Sequence, residues 1–314
     1  MKGYMAQPRY GAQLENDSCL GPLHPLGTAR GYKDLSIIQA NHLTFTYTGA
    51  SKPSVEDVST TVSPGEFVVL TGPSGCGKTT ICRCLNGLIP NFYSGDFAGE
   101  LIVDGMNVKE HTTAELAAHV GMVFQNPENQ LFSLSVERDV AFGPENLGLQ
   151  REETRKRVDW ALDVTGITHL KDKPPYELSG GQQQRAAIAA VLAMQPKVMI
   201  LDEPTSFLDP KSALEILEVI SDLNKKLKIT IILVEHRLDI VSQHANRVIV
   251  MDNGKVVLDG TPRDVYGEQA RLIGIGLPRV TTLFNLLQRD GLGLTQTPTT
   301  VDEAAGVLRK MLSR

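Results

Sequence analysis

Residues 72–79 constrain this chain more than any other part of it. They read Gly-Pro-Ser-Gly-Cys-Gly-Lys-Thr and match the pattern G-x-x-x-x-G-K-[ST] in full. An apolar run at residues 67–70 precedes them, and residues 80–88 have the composition of a helix. Glycines allow successive backbone N–H groups to point at one anion, which the positive end of the helix also faces. The sequence therefore predicts a strand, a phosphate-binding loop and a helix, in that order.

The side chains of this loop have separable expected roles. Lys78 would reach the β- and γ-phosphates of a nucleotide, and the Thr79 hydroxyl would hold Mg²⁺. The side chain of Cys76, inside the loop, is expected to fill space. The residues expected to bind the phosphates are Gly72, Pro73, Ser74, Gly75, Cys76, Gly77, Lys78, Thr79 and Thr80.

A second nucleotide motif ends in two carboxylates. Residues 198–201 are apolar, and Asp202 and Glu203 follow them. Asp202, at the carboxyl end of a strand, would hold Mg²⁺ through water. Glu203 would face the other side, where it could orient or deprotonate an attacking water. Paired acids at a strand end are often only solvated, but a phosphate loop upstream favours the catalytic interpretation.

Two further segments are expected to contribute to nucleotide chemistry. Ser179, Gly180, Gly181 and Gln182 open a predicted helix just before the second motif, so free backbone N–H groups there suit another phosphate. Residues 229–234 form an almost wholly apolar strand. The histidine that follows it, His236, lies where α/β sheets place their ligands. The other six histidines are assigned surface or packing roles.

The amino-terminal half predicts antiparallel strands around the phosphate loop. Residues 37–47 alternate as a strand, residues 54–61 continue as a second, and Asp104-Gly105 between two apolar runs indicates a hairpin. Tyr47, ahead of the phosphate loop, could stack on a purine ring or pack within its strand, and the residues leave both interpretations open. Residues 121–125 form a short strand that ends at Gln125.

The chain divides into three predicted parts. Residues 1–35 are rich in Gly, Pro and polar residues and are expected to form a poorly ordered tail. Residues 36–274 form the nucleotide domain, with a helical insert at about 126–190. Residues 275–314 form an appendage of two amphipathic helices, in which Val280, Phe284 and Leu287 share one face. That face would strengthen dimerisation or pack on its own domain.

The net charge, the apolar runs and the cysteines narrow the class of protein that this chain can belong to. The net charge of −5 over 314 residues gives no support to nucleic-acid binding. No apolar run approaches the ~18 residues of a membrane-spanning helix. Four cysteines suit a reducing compartment, and Cys82 and Cys84 lie two apart on a predicted helix, which makes a poor metal pair.

The set of motifs, in this order and spacing, resembles the ATP-binding-cassette (ABC) ATPases over residues 37–267. The resemblance implies an α/β P-loop NTPase cassette with a parallel core sheet, an antiparallel β subdomain and a helical subdomain. It also implies ATP and Mg²⁺ as cofactors, and a second cassette with which each ATP is shared between one phosphate loop and the partner's Ser179–Gln182 segment. By the same likeness, Tyr47 stacks on adenine, Gln125 senses Mg²⁺ and the membrane partner, Asp209 crosses the dimer interface, and His236 contacts the γ-phosphate.

A narrower resemblance is to the ATPases of energy-coupling factor transporters. Residues 125–132, 135–143 and 234–239 carry it. It implies an ATPase peripheral to the cell membrane, on the cytoplasmic face. Its partners would be a transmembrane coupling subunit and a membrane-embedded substrate-binding subunit for vitamins or cobalt and nickel ions. We expect residues 129–142 to dock on the membrane partner, with Leu131 and Phe132 in the contact and Phe142 either in the contact or in the core.

Two alternatives remain, one within the transporters and one in a different class. One is an ordinary ABC transporter cassette, against which the Gln-Asn-Pro-Glu-Asn-Gln run at 125–130 argues. The other is a soluble cassette that acts on DNA or ribosomes. DNA-repair cassettes insert long coiled coils between the two motifs, whereas only about a hundred residues separate Thr79 from Leu178 here. Translation-factor cassettes come in pairs with basic linkers, whereas this chain has one cassette and is acidic.

Overall fold

The computed structural model describes residues 36–291 and 297–312, so the tail expected at residues 1–35 lies outside the described residues. The strands are β1 Ile38–Tyr47, β2 Val55–Val62, β3 Phe67–Thr71, β4 Gly95–Val103, β5 Met106–Asn107, β6 Val120–Val123, β7 Val198–Asp202, β8 Thr230–Val234, β9 Arg247–Asp252 and β10 Lys255–Gly260. The helices are α1 Lys78–Leu85, α2 Leu88–Asn91, α3 Thr113–Ala117, α4 Val136–Asn146, α5 Arg151–Val164, α6 Gly180–Leu192, α7 Pro210–Leu227, α8 Leu238–Val241, α9 Pro262–Val265, α10 Glu268–Leu272, α11 Arg279–Arg289 and α12 Val301–Leu312.

A six-stranded sheet in the order β10-β9-β3-β8-β7-β6 forms the centre of the fold. All neighbouring strands pair in parallel except β10, which is antiparallel to β9. Every residue of β3, β7 and β8 is buried, as expected for parallel strands that are covered on both faces. The parallel register brings the carboxyl ends of β3, β6, β7 and β8 to one edge. That edge carries the phosphate loop and the segments that begin at Gln125, Glu203 and His236.

The two faces of this sheet support separate hydrophobic clusters. Alternate residues of a strand point to opposite faces. Val69 and Leu201 pack with the helical insert, whereas Leu70 and Ile200 pack with α1 and the second sheet. The helical insert and the amino-terminal strands therefore pack on opposite faces of the central sheet.

The second sheet is antiparallel, in the order β2-β1-β4-β5. The hairpin predicted at Asp104-Gly105 joins β4 to β5, which confirms it. The expected simple alternation of β1 is interrupted, because the register shifts between Ala40 and Leu43, and both of these residues are buried. His42 lies in that shift with a positive φ of 51°, so the strand contains a bulge that single-strand periodicity does not reveal.

The helices α5 and α11 show the apolar faces that the sequence predicts. In α5, Val158 and Leu162 are buried at i, i+4 spacing, as predicted. In α11, Phe284 is buried and Val280 and Leu287 are partly buried, so this face packs on its own chain, while Leu283 and Leu286 remain about half exposed. Across the described residues, no helix combines the length and the hydropathy that crossing a bilayer requires.

Candidate nucleotide site

The phosphate loop has a backbone that only glycine can supply at two positions. Gly77 precedes α1 with a φ of 108°, and a Cβ atom there would lie 2.2 Å from the Ser54 carbonyl oxygen. Gly72 has a φ of 148°, and its Cβ atom would lie 2.1 Å from the Met251 carbonyl oxygen. Both values of φ fall in a region that side chains disfavour. The loop is therefore held in one shape by its neighbours, at the amino end of a helix where an anion is favoured.

Lys78 is buried within the loop and bonded to its backbone. Its Nζ atom donates to the carbonyl oxygens of Gly72 at 3.0 Å and Pro73 at 2.9 Å, and lies 3.8 Å from Cys76 Sγ. None of these partners carries a formal charge, so they do not neutralise the ammonium group, and a negatively charged phosphate could do so. Burial raises the pKa of the Cys76 thiol, which agrees with a space-filling role for it.

Asp202 ends β7 as a buried carboxylate that is hydrogen-bonded to Thr79. Burial raises the pKa of Asp202, and the hydrogen bond with Thr79 acts in the opposite direction. Glu203 adjoins Asp202 and raises the same pKa further. The donors at this edge are a carboxylate, a hydroxyl and the amide of Gln125, and oxygen ligands of these kinds suit Mg²⁺. The residues present therefore fit a magnesium ion that would be shared with nucleotide phosphates.

Glu203 is held by three side chains from three segments. Gln125 Nε2 donates to Glu203 Oε2 at 2.8 Å, Ser206 Oγ donates to the same oxygen at 2.9 Å, and His236 Nε2 lies 3.1 Å from Oε1. Gln125, Glu203 and His236, which the sequence analysis had singled out, are thus brought together. Glu203 also has a φ of 49°, a conformation that costs about 1–3 kcal/mol at a non-glycine residue. The surrounding loops therefore fix this carboxylate at the open edge of the sheet.

Tyr47 makes contacts that serve packing. Its hydroxyl lies 3.3 Å from Thr80 Oγ1 and accepts a hydrogen bond from Arg83 at 3.1 Å. Its ring meets Phe45 and Tyr93 edge-on, at centroid distances of 4.8 and 6.2 Å. The side chain is half-buried, so part of the ring remains accessible. Packing in the strand is thus observed, and stacking on adenine stays a prediction.

The Ser179–Gln182 segment forms the amino end of α6. Ser179 caps the helix, with its hydroxyl 3.4 Å from the Gln182 backbone nitrogen and its own N–H bonded to the Gln182 side chain at 3.0 Å. Cβ atoms added at Gly180 and Gly181 would meet Leu208 and Ser212 at 3.4 and 3.3 Å. The Ser179–Gln182 segment therefore lies against the turn that carries Asp209.

Asp209 caps α7 through its carboxylate. Its Oδ1 atom accepts from the backbone N–H groups of Lys211 at 3.0 Å and Ser212 at 3.1 Å. The pKa of Asp209 is lowered, mainly by the hydrogen bond that its carboxylate accepts from the Ser212 hydroxyl. Among the hydrogen bonds of the described residues, none joins Ser179, Gln182 or Asp209 to the phosphate loop. Within one chain these residues form a separate surface.

Sequence reasoning missed three side chains around Glu203. Ser206 bonds directly to it, and Thr205 and Glu235 bond to each other behind it. One sequence signal was available for Glu235, because a carboxylate that directly follows four apolar strand residues is unusual unless it has partners. For Ser206 and Thr205 the sequence shows only a turn, and their partners lie on other segments.

Comparison with known proteins places this site in a family. The pattern of the family described as "ABC transporter" matches residues 55–206. A protein of Pyrococcus horikoshii named as an ABC transporter ATP-binding protein is 45% identical over 277 residues, which are 88% of this chain and 97% of that protein. The energy-coupling factor transporter ATP-binding protein EcfA2 of Clostridium tetani is 42% identical over 285 residues, covering 88% of this chain and 97% of its own.

A solved structure extends the likeness to the fold. It is cbiO1 of Clostridium perfringens, described as part of the ABC transporter complex cbiONQ, with a TM-score of 0.69 and 39% sequence identity. The match covers 80% of this chain and 100% of that one. The α/β cassette predicted from the sequence is thereby confirmed. This chain belongs to the ABC transporter family, as one of its ATP-binding ATPases.

Proposed function

We propose that this chain hydrolyses Mg²⁺-ATP to energise a membrane importer of the energy-coupling factor type. The observation that carries the chemical part is the Glu203 carboxylate, held by Gln125, Ser206 and His236 at the sheet edge that also carries the phosphate loop. The similarity to EcfA2 and to cbiO1 supports the importer part.

Each residue at the edge has a role that its geometry supports. Lys78 would exchange its loop carbonyls for the β- and γ-phosphates, because a phosphate offers it charge as well as acceptor atoms. Thr79, Asp202 and Gln125 would hold Mg²⁺, which when bound offsets the charge on the phosphates. Glu203 would accept a proton from the attacking water or orient it.

His236 would act at the γ-phosphate. Its ring is partly exposed and lies beside Glu203, so it can donate a hydrogen bond to an oxygen that gains charge during hydrolysis. Gln125 connects the same carboxylate to the loop that leaves β6. The site can therefore respond both to the nucleotide and to movement of that loop.

A second cassette would complete the site. The Ser179–Gln182 helix end offers free backbone N–H groups, and within one chain it is not bonded to the phosphate loop. A partner cassette placed head to tail would bring its own copy of this helix end to the ATP held here. Asp209 would lie at the contact between the two.

The membrane partner would dock on the segment between Gln125 and α4. Phe132 is 66% exposed and Phe142 is 49% exposed, and their rings meet edge-on at 4.9 Å. Leu131, expected beside them, is only 8% exposed and packs in the core of the insert, so its assignment to the docking surface is wrong. The aromatic pair forms an apolar patch that a helix of a transmembrane subunit could cover.

This surface is braced to the catalytic carboxylate. Gln130 Oε1 accepts from the backbone N–H of Phe124, the neighbour of Gln125, at 3.1 Å. Buried Asp139 accepts from the backbone N–H groups of Phe132 at 3.1 Å and Ser133 at 3.0 Å. A displacement of the docking segment would therefore reach Gln125 through fixed hydrogen bonds.

The remaining parts of the proposal come from the resemblance. A transmembrane coupling subunit and a substrate-binding subunit would supply the path and the specificity, with vitamins or cobalt and nickel ions as the substrate class. The chain would lie on the cytoplasmic face of the cell membrane as a peripheral subunit.

Two variants at exposed apolar residues test the importer part. Phe132→Ser with Phe142→Ser should leave the protein folded and able to bind ATP, but unable to co-purify with its coupling subunit when the two are co-expressed. Leu272→Ser, at a residue 75% exposed on α10, is the control and should co-purify normally. Retention of the double variant in the complex, at the wild-type ratio of subunits, would contradict docking at this surface.

A further inference from the structure

Glu235 is a buried carboxylate with a complete set of partners. It follows β8 directly and is 1% exposed. Its Oε2 atom accepts from the Thr205 hydroxyl at 2.5 Å, and its Oε1 atom accepts from the backbone N–H groups of His236 at 2.9 Å and Arg237 at 3.1 Å. A buried carboxylate is costly unless it is bonded in this way.

These bonds join the two loops that meet at the catalytic carboxylate. Thr205 lies two residues after Glu203, and the Glu203 backbone N–H donates to the Val234 carbonyl oxygen at 3.0 Å. Glu235 holds the main chain of His236, whose ring lies 3.1 Å from Glu203 Oε1. Among the hydrogen bonds of the described residues, those of the Glu235 side chain thus close a ring behind the Glu203–His236 pair and include none to either of those two side chains.

We propose that Glu235 is a positioning residue for ATP hydrolysis, which fixes His236 relative to Glu203 by bonding to Thr205 and to the backbone of residues 236 and 237. The inference rests on the roles proposed above for Glu203 and His236.

A purely structural role is a poor explanation of this arrangement. Loss of the carboxylate would leave the Thr205 hydroxyl and two backbone N–H groups without their acceptor, so Glu235 also stabilises the fold. Stability alone does not explain why its bonds converge on the two loops that carry Glu203 and His236. Among the backbone hydrogen bonds of the described residues, only that from the Glu203 N–H to the Val234 carbonyl oxygen links the two loops where they leave β7 and β8. A catalytic group that moves by 1 Å can lose about 100-fold in rate, so a fixed tie between these loops has a direct effect on hydrolysis.

Matched variants separate the two roles. Thr205→Val removes the hydroxyl that bonds to Glu235, and Glu235→Leu removes all three acceptor bonds. Thr230→Val is the control, because Thr230 is equally buried and its hydroxyl accepts from the Gly65 N–H at 2.9 Å at the opposite end of the same strand. Thermal unfolding of all three variants measures the loss that packing and hydrogen bonding alone produce.

The expected result is a change in turnover without a matching change in binding. Glu235→Leu and Thr205→Val should each lower kcat for ATP about 10-fold or more while KM changes little. Thr230→Val should keep the wild-type kcat despite a similar fall in melting temperature. Glu235→Gln retains both backbone bonds and can donate to Thr205, so it should recover most of the activity.

Combination with His236→Ala gives the decisive comparison. If Glu235 acts by placing His236, adding Glu235→Leu to His236→Ala should lower kcat no further. Independent losses that multiply, or wild-type kcat in both Thr205→Val and Glu235→Leu, would overturn the inference. Glu203→Gln is measured alongside, because wild-type hydrolysis in that variant would instead reject the proposed catalytic site.

Discussion

The side-chain amide of Gln125 donates a 2.8 Å hydrogen bond to the carboxylate of Glu203, across 78 residues of sequence. Gln125 follows β6 and Glu203 follows β7, and these two strands pair in parallel, so their carboxyl ends lie side by side. The loop that carries the proposed docking surface is therefore attached directly to the proposed catalytic base. Loss or change of this one contact should alter hydrolysis before it alters the fold.

Gln125→Glu should shift the pH dependence of hydrolysis. It would place a second carboxylate beside Glu203, and two carboxylates at that distance resist being ionised together, which raises the pKa of the pair. The acid limb of the pH–rate profile should move up by about one pH unit. Gln125→Ala is the control, which loses the bond without adding charge and should lower kcat with the limb in place. If the acid limb of the Gln125→Glu profile does not move, the side chains of residues 125 and 203 are not in contact during hydrolysis, which would contradict this prediction.

Asp202→Asn should stabilise the nucleotide-free protein. Burial raises the pKa of Asp202 above its ordinary 3.8, so the folded chain binds this proton more tightly than the unfolded chain. The wild-type free energy of unfolding should therefore fall as the pH rises from 3.8 through the raised pKa, and stay lower above it. Asparagine carries no charge to bury. The variant should have the higher melting temperature at neutral pH but gain little from Mg²⁺-ATP, and a lower melting temperature would contradict this account.

Mixing two inactive variants tests whether the site is shared. Ser179→Arg blocks the amino end of α6, and Lys78→Ala removes a cation from the phosphate loop. In a mixed homodimer, the phosphate loop of the first and the helix end of the second form one intact site, so part of the activity should return. Differently tagged subunits show whether mixed dimers form. Mixed dimers without recovered hydrolysis would count against a site shared between two copies.

The exposed leucines of α11 should contribute to dimerisation. Leu283 and Leu286 are 48% and 50% exposed, three residues apart on one face. Leu283→Ser with Leu286→Ser should weaken self-association, measured by sedimentation with and without ATP, and should leave nucleotide binding unchanged. Gln288→Ala on the same helix is the control. If the association constant is unaffected by the leucine substitutions, the appendage packs only on its own domain.

Much of the fold could be predicted from the sequence because its signals are local. The strands β7 and β8 each contain four consecutive apolar residues, and the carboxylates and histidine that come after these runs mark the edge of a parallel sheet. The phosphate loop is specified by spacing alone. These signals were sufficient to place Glu203 and His236 at the same edge of the sheet, although not to predict that Ser206 bonds to Glu203.

What could not be predicted depends on contacts between distant segments. Periodicity places Val280 and Phe284 on one face of α11 but does not say whether that face meets its own domain or a partner. Leu131 is apolar within a polar run, which fits a docking surface and a core equally well. The apolar strand before Glu235 indicates that this carboxylate needs partners, but the partners lie on two loops and the strand does not identify them. In each case the sequence defines a surface, and only the fold defines what covers it.

The central claim is that Glu203 supplies the chemistry while the phosphate loop supplies the binding. Glu203→Gln keeps the shape and removes the charge that activates water, whereas Lys78 and the loop remain intact. We expect ATP affinity close to that of the wild type, and phosphate release lowered by about two orders of magnitude or more. Both quantities should be measured on the same purified protein, with Lys78→Ala as the variant that loses binding. Phosphate release at the wild-type rate by Glu203→Gln would contradict the account.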